Sequence, residues 1–324
     1  MPASGWRLSA CGRRLWKLPN VAGFGWGRRR VGGRGTGEPC IAVLVTRKVP
    51  LTALLLNERV PPRLEGCRTD VVQVGHLQLL GVDRTARLRP ARPGVSVGHF
   101  RTTAGTLGAV VYARAGAEPL ILSNNHVLAN LADRRNRRAA PGDPILQPGP
   151  HDGGRENDTL ARLLRLVPVD TLPGFSAVGE RGETLTGVGP DAPRNRVDAA
   201  VARPVNRRLV NGRVLGLGRV RGVRRPRLGL RVRMSGRSSA VTRGRIQAVD
   251  VTVSVGVGDL GYALFSEQVL TTPLARPGDS GSLLLDRRNR AVGLVFAGST
   301  DAAVANDIST VLRLLAVTLR RRPA

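Results

Sequence analysis

Lysine is almost missing from this chain of 324 residues: of 51 basic side chains, only Lys17 and Lys48 are not arginine. Acidic residues number 23, so the formal net charge is +28. A chain this basic can bind polyanions, because each neutralised phosphate releases counterions. The near-absence of lysine reads first as a codon-composition bias that spreads arginine over many surfaces, with incidental polyanion or nucleic-acid affinity as its consequence. Aromatics make up only 3% of the chain. That is too few for base-stacking platforms, and no nucleic-acid-binding motif is present. Cysteine is scarce as well. Cys11, Cys40 and Cys67 are odd in number and confined to roughly the first fifth of the sequence. They cannot brace the bulk of the protein with disulfides, and their spacing fits no zinc site. This pattern suits a reducing compartment, and no metal or cofactor is expected. Long apolar runs are missing too: "IAVLV" and "LTALLL" are far too short to cross a bilayer. The opening "MPASGWRLSACGRRLWKLPN" has arginines inside every apolar stretch, which argues against a secretory leader. The expectation is a cytoplasmic protein without membrane association.

Glycine (40 residues) and proline (22) are abundant, as in a protein of short strands separated by turns. Residues 1–95 read as a basic extension whose first 35 or so residues are Gly/Arg-rich and which includes a small strand-containing unit. From there the texture changes to short apolar runs such as "GTLGAVVYAR", "PLILSNNHVLA", "VDAAVARPV", "RGRIQAVDVTVSV" and "AVGLVFAG". Strands at this spacing argue for barrels or a sandwich rather than alternating βα units. Only "NDISTVLRLLAVTLRRR" (306–322) has helical spacing, with Ile308, Val311, Leu312 and Leu315 on one face. Asn306 or Asp307 is placed to cap it.

The stretch "LARPGDSGSLLLD" (274–286) sets a serine between glycines ahead of an apolar strand. A hydroxyl near its free pKa is a poor nucleophile, so Ser280 can react only with a base and an orienting group supplied elsewhere. Of four histidines, His126 in "LILSNNHVLAN" ends an apolar strand where polar residues begin, a rigid support for an imidazole. His76 and His99 follow glycines in strand-like contexts, and His151 lies in a loop. Among carboxylates, Asp198 in "NRVDAAVARP" interrupts an apolar strand and is followed by small residues, whereas Asp191 reads as a loop acid. Each of the three candidates alone has an ordinary structural role. Together they run His126, Asp198, Ser280, an order distinct from the subtilisin and α/β-hydrolase orders. The serine is also followed by strand, turn and strand rather than by the helix an α/β-hydrolase needs.

With these segments in view, the chain resembles a trypsin-like serine protease of the chymotrypsin fold. More narrowly, it is similar to the disulfide-poor bacterial branch related to plant narrow-leaf-type proteases. "LSNNHVLAN", "VDAAVA" and "RPGDSGS" resemble the His, Asp and nucleophile motifs. "GRSSAVTRGRI" (236–246) resembles a bacterial hairpin motif in which Ser238 and Ser239 stand where threonines are usual. "GDPILQPGPHDGG" (142–154) and residues 19–50 resemble the narrower group. The resemblance implies an all-β-dominated fold of two six-stranded antiparallel β-barrels. The first spans 96–204 with His126 and Asp198, the second 205–305 with Ser280, and a C-terminal helix fills 306–324. It implies a serine endopeptidase acting through an acyl-enzyme, with protein or peptide as its substrate. The oxyanion would be held by the amides of Gly278 and Ser280. Substrate would pair with the strand carrying Phe296, Ala297 and Gly298, and Leu274 would stand at the base of the side-chain pocket, an apolar residue that argues against arginine or lysine there. Two other readings stay open: a catalytically silent two-barrel protein that binds peptide or nucleic acid through its basic surface, and a different serine hydrolase such as an esterase.

Overall fold

The computed structural model describes residues 9–32, 34–75, 82–114, 116, 118–133, 136–172 and 194–319. The chain divides into two units, Met1–Val82 and Asp83–Ala324. In the first, a short helix α1 (Ser9–Leu15) accompanies strands β1 (Val21–Val31), β2 (Arg34–Val45), β3 (Arg63–Leu64) and β4 (Cys67–Gln73). Their order is β1-β2-β4-β3, with β1 antiparallel and β4 parallel to β2. Alternation along β2 makes the core: Ile41 and Val43 are buried with Leu15 and Leu64, while Ala42 and Leu44 between them are only half-buried. Cys40 and Cys67 are free thiols. The apolar "LTALLL" segment forms two 3-10 turns, Leu51–Ala53 and Leu56–Glu58.

Among the described residues the second unit contains two large sheets and a two-stranded ribbon, Arg213–Val214 with Gly218–Arg219. Six main strands make the first: β5 (Ser96–His99), β6 (Ala109–Ala113), β7 (Pro119–Ser123), β8 (Pro144–Leu146), β9 (Thr159–Leu166) and β10 (Ala200–Pro204). Their order is β6-β7-β10-β9-β8-β5. The sheet wraps on itself because Gly105–Thr106 pairs with the far-edge strand β5, while β6, a few residues on, pairs with β7. Another six make the second: β11 (Arg231–Gly236), β12 (Ala240–Gly256), β13 (Tyr262–Thr271), β14 (Leu283–Asp286), β15 (Ala291–Gly298) and β16 (Ala303–Asp307). Here the order β13-β12-β11-β14-β15-β16 closes through a direct β13–β16 pairing. The architecture is thus mostly β and two-barrelled, as the resemblance implied.

The continuous apolar runs have a physical cause: their strands are buried on both faces. Ile121, Ala200 and Ala202 point into the first barrel with Val97, Leu107 and Ile145. Their neighbours Leu120, Leu122, Ala199 and Val201 face a second cluster shared with Leu283, Leu285 and Leu294 of the other barrel. The second barrel's own interior is filled by residues such as Val232, Met234, Ile246, Leu284 and Val292.

Two boundaries differ from the sequence reading. The extension ends at Val82 rather than 95, because residues 83–95 belong to the two-barrel unit. Arg84 donates to Ser235 Oγ at 2.8 Å and Ala91 bridges to Val210. The C-terminal helix is short, α3 (Ile308–Leu314), and Asp307 caps it by accepting from the amides of Ser309 and Thr310. Ala316 adopts φ +51°, and Val317–Thr318 then form β17, which pairs with β6. The β-branched pair at 317–318 favours this strand over another helical turn.

Gly108 sets how closely the barrels approach. A Cβ there would lie 2.0 Å from the carbonyl oxygen of Gly281 and 3.1 Å from Leu294. Gly108→Ala is therefore expected to destabilise the two-barrel unit by about 1–3 kcal/mol or more, read as a lowered urea midpoint. A change within ~0.5 kcal/mol, the range of an ordinary surface substitution, would contradict this packing.

Candidate active site

Strand β7 delivers His126. It ends at Ser123, and a single helical turn α2 (Asn125–Leu128) presents the imidazole while Val127 and Leu128 enter the first barrel's core. Asp198 lies just before β10 and is 2% exposed. One carboxylate oxygen is in a very short contact with His126 Nδ1, and the other accepts from the His126 amide at 3.1 Å. The Asp198 backbone is fixed on both sides. Asn124 Nδ2 donates to its carbonyl at 2.8 Å, and its own amide donates to Asn306 Oδ1 at 3.1 Å. Burial pushes the His126 imidazole towards the neutral form, but the adjacent Asp198 charge and hydrogen bond outweigh it. The result is a pKa raised above the ordinary 6.5.

Ser280 sits in the turn between β13 and β14, braced from the first barrel through Thr106. The Thr106 amide donates to the Ser280 carbonyl at 2.7 Å, its hydroxyl donates to the Gly278 carbonyl at 2.9 Å, and its carbonyl accepts from Ser123 Oγ at 2.7 Å. A Cβ on Gly105 would meet both Val127 and the Ser280 carbonyl, so the residue after His126 and the serine turn close on the same point. Ser280 Oγ donates to the Phe296 carbonyl at 3.3 Å; among the described residues it has no hydrogen bond to His126.

The amides of Gly278 and Ser280 have no hydrogen-bond partner among the described residues, yet the planes of both peptides are fixed. Ser238 Oγ donates to the Pro277 carbonyl at 2.7 Å, and the Ser282 amide donates to the Asp279 carbonyl at 3.0 Å. In a trans peptide the N–H points opposite to the C=O, so each bond aims the following amide away from itself. Gly278 has φ +93°, a conformation that favours glycine. Buried Asp279 clamps the turn by accepting from the amides of Ser238, Ser239 and Arg276 at 2.8–3.0 Å. Arg237 reaches Asp152 of the 142–154 segment with two nitrogens, and its amide donates to Thr106 Oγ1.

Two cavities flank Phe296. One of about 280 Å³ is lined by His126, Asp198, Phe265 and Phe296. The other, of about 1000 Å³, is lined by Ser280, Leu274, Ala297, Gly298, several hydroxyl side chains and the arginines Arg243 and Arg276. Leu274 adds an apolar wall, its side chain continuous with the barrel core. The segment before β14 holds Val295, whose amide donates to the Ser282 carbonyl at 2.9 Å and whose carbonyl accepts from the Gly281 amide at 2.8 Å. Beyond it Ala297 and Gly298 pair with β16 on one side only, which leaves a strand edge facing this cavity.

Sequence reasoning missed Thr106, Ser123 and Asn306, which hold the site through side-chain bonds. Thr106 lies in an apolar stretch without a motif, Ser123 stands inside the histidine motif with no role assigned to it, and Asn306 reads only as a helix cap. It also assigned no role to Asp279 inside the quoted motif. His99 has a carboxylate partner too: buried, it bonds Asp143 at 3.0 Å and accepts from the Arg101 amide. Burial lowers its pKa despite that partner. His151 is exposed, and His76 and Asp191 lie outside the described residues. Among the described residues no group of three or more His, Cys, Asp or Glu could hold a metal ion, and no helix is long and apolar enough to cross a membrane.

No family model and no curated relative matches the chain. Among solved structures it is similar to a Nocardiopsis protease, with 19% identity, a TM-score of 0.48, and 71% of this chain and 100% of that chain covered. It is also similar to Thermobifida fusca protease A (16%, TM-score 0.46, covering 72% and 100%) and to Cellulomonas bogoriensis chymotrypsin (18%, TM-score 0.43, covering 71% and 98%). At such identities and TM-scores, no property of those enzymes transfers to this chain.

The His126–Asp198 pair makes a direct prediction. By NMR, the His126 ring should titrate above 6.5, and in Asp198→Asn below it, because the attraction is lost while burial remains. The paired imidazolium's contribution to stability should be fully present below pH ~6.5 and fade as pH rises through the raised value. Identical titration in both proteins would remove the coupling.

Proposed function

We propose that the chain is a serine endopeptidase hydrolysing peptide bonds through Ser280, His126 and Asp198 by way of an acyl-enzyme. The observation that carries this reading is a serine turn with two unpartnered, plane-fixed amides, braced by hydrogen bonds to the barrel that bears a charge-paired histidine. In the proposed reaction Ser280 Oγ attacks the substrate carbonyl carbon while His126 Nε2 takes the hydroxyl proton. The amides of Gly278 and Ser280 hold the oxyanion. Collapse of the tetrahedral species breaks the C–N bond, and His126 returns the proton to the leaving amine. Water then repeats the sequence to release the acid. Asp198 keeps Nδ1 occupied and stabilises the imidazolium. The edge of Phe296, Ala297 and Gly298 supports a substrate strand. Leu274 supplies an apolar wall, and Arg243 and Arg276 disfavour a basic side chain in the adjoining cavity. The narrower relation to plant narrow-leaf-type proteases rests on sequence motifs.

One observation favours a catalytically silent alternative: Ser280 Oγ is bonded to the Phe296 carbonyl rather than to His126. Catalytic hydrogen bonds are often loose without substrate and tighten in the Michaelis complex, so the active reading stands first.

Hydrolysis of an unstructured protein such as casein is expected, lost by at least ~10³-fold in Ser280→Ala and in His126→Ala. The rate should fall as pH drops through the raised His126 pKa, because the imidazolium cannot accept a proton. Equal hydrolysis by Ser280→Ala would remove the proposal, and activity on esters but on no peptide would point to an esterase. Ser238→Ala, which frees the Pro277–Gly278 peptide, should lower kcat roughly tenfold with a smaller change in KM, and Ser238→Thr should restore it. An unchanged kcat would mean that Ser238 does not position the oxyanion amide.

A further inference from the structure

The β11–β12 hairpin carries an arginine ladder on its outer face. Val232 and Met234 point into the barrel core, so Arg231 and Arg233 point outward. The register sets Arg231 directly opposite Arg245, and Arg233 directly opposite Arg243. Like charges in these positions destabilise a sheet. Opposed arginines also occur singly, at Arg63–Arg68, Arg162–Arg203 and Arg213–Arg219. Among the described residues, only this hairpin stacks two such pairs on one face, which a diffuse composition bias does not require.

The turn after β14 extends the row with exposed Arg287 and Arg288. These two line a cavity of about 560 Å³ together with Arg224, Arg231, Arg290 and Asp286. Asp286 is the only acidic residue lining it and is already saturated. It accepts from Arg224 at 3.2 Å, from Arg290 at 2.7–2.8 Å, and from the amides of Arg288 and Arg290 at 2.9 Å. Arg233 is occupied by the Arg287 carbonyl and Asn289. No salt bridge to a carboxylate engages Arg231, Arg243, Arg245, Arg287 or Arg288 among the described residues. The fold concentrates positive charge here and does not neutralise it.

We propose that this face of the second barrel binds a polynucleotide through its phosphodiester backbone. Guanidinium groups pair with phosphate in a bidentate fork and stay charged at physiological pH. Same-face arginines on one strand are about 6.8 Å apart, and opposed ones about 5 Å, so the surface meets a line of anions rather than a single ion. The row contains no aromatic side chain, which predicts backbone contacts without base readout. A polynucleotide carries a charge at every residue, whereas a polypeptide matches that density only in unbroken acidic runs. Arg243 also borders the Ser280 cavity, so the bound polymer lies beside the candidate cleft.

The test is fluorescence anisotropy of the full chain with a labelled 20-nucleotide single-stranded DNA across a salt series. The variant R231Q/R245Q/R287Q/R288Q is compared with R162Q/R203Q/R207Q/R208Q, which removes the same charge from exposed positions of the first barrel. The ladder variant should bind about 10–100-fold more weakly, with a salt dependence reduced by up to about three units of slope. The control should stay within about threefold of the unmodified protein, and both variants should keep its melting temperature. The smaller variant R287Q/R288Q serves if the larger one is unstable, and it should lose part of the same affinity. Equal weakening by ladder and control variants would reduce the site to net charge and overturn the proposal. Competition by polyglutamate as effective as by the same length of unlabelled DNA would overturn it in favour of an acidic protein.

Discussion

The arrangement of the candidate site depends on Thr106. This buried residue, just before the strand that begins the first barrel's wrap, bonds to the Ser280 carbonyl, the Gly278 carbonyl, Ser123 and the Arg237 amide. Three of these bonds tie the end of the histidine-bearing strand to the serine turn, and the fourth adds the β11–β12 connection. Glycine makes the approach possible on both sides. A Cβ on Gly281 would fall 2.0 Å from Ser123 Oγ and 2.3 Å from the Thr106 carbonyl. The apolar cluster between the barrels supplies the attraction, and these polar contacts fix the register in which it is satisfied.

Electrostatics then separates two histidine–aspartate pairs, joined through Nε2 at His99 and through Nδ1 at His126. His99 and His126 each bond a carboxylate, but burial prevails at His99 and lowers its pKa, while Asp198 prevails at His126 and raises it. Asp198 is held from three directions, by Asn124, Asn306 and the His126 amide. Its carboxylate therefore has little freedom to turn elsewhere. The proposed protease reaction requires Ser280 Oγ to leave the Phe296 carbonyl and bond His126, within a turn whose backbone is clamped by Asp279.

Much of this was legible in the sequence because the chemistry sits at breaks in pattern. His126 follows the end of an apolar strand, Asp198 precedes one, and Ser280 lies between glycines. The two-faced burial of "LIL" and "VDAAVA" explains why those strands appear as continuous apolar runs. The rest was hidden for definite reasons. Thr106 and Asn306 act through single side-chain bonds across more than 100 residues of chain, and sequence spacing carries no trace of such pairings. The end at Val82 is not legible because the change to short, turn-separated strands falls only at about residue 95, inside the two-barrel unit. The sequence pattern overextends the helix because Leu315 continues its apolar face, whereas Ala316 at φ +51° ends it. The arginine ladder could not be seen at all without the register, since alternate arginines in β11 and β12 become a surface only when the strands pair.

The most direct measurement is to treat the folded protein with a fluorophosphonate probe and locate the adduct by tandem mass spectrometry. One stoichiometric adduct on Ser280 is expected, abolished by prior unfolding and lost in His126→Ala. A folded protein that takes up no label, or that carries it on another residue, would contradict the claim that Ser280 is an activated nucleophile.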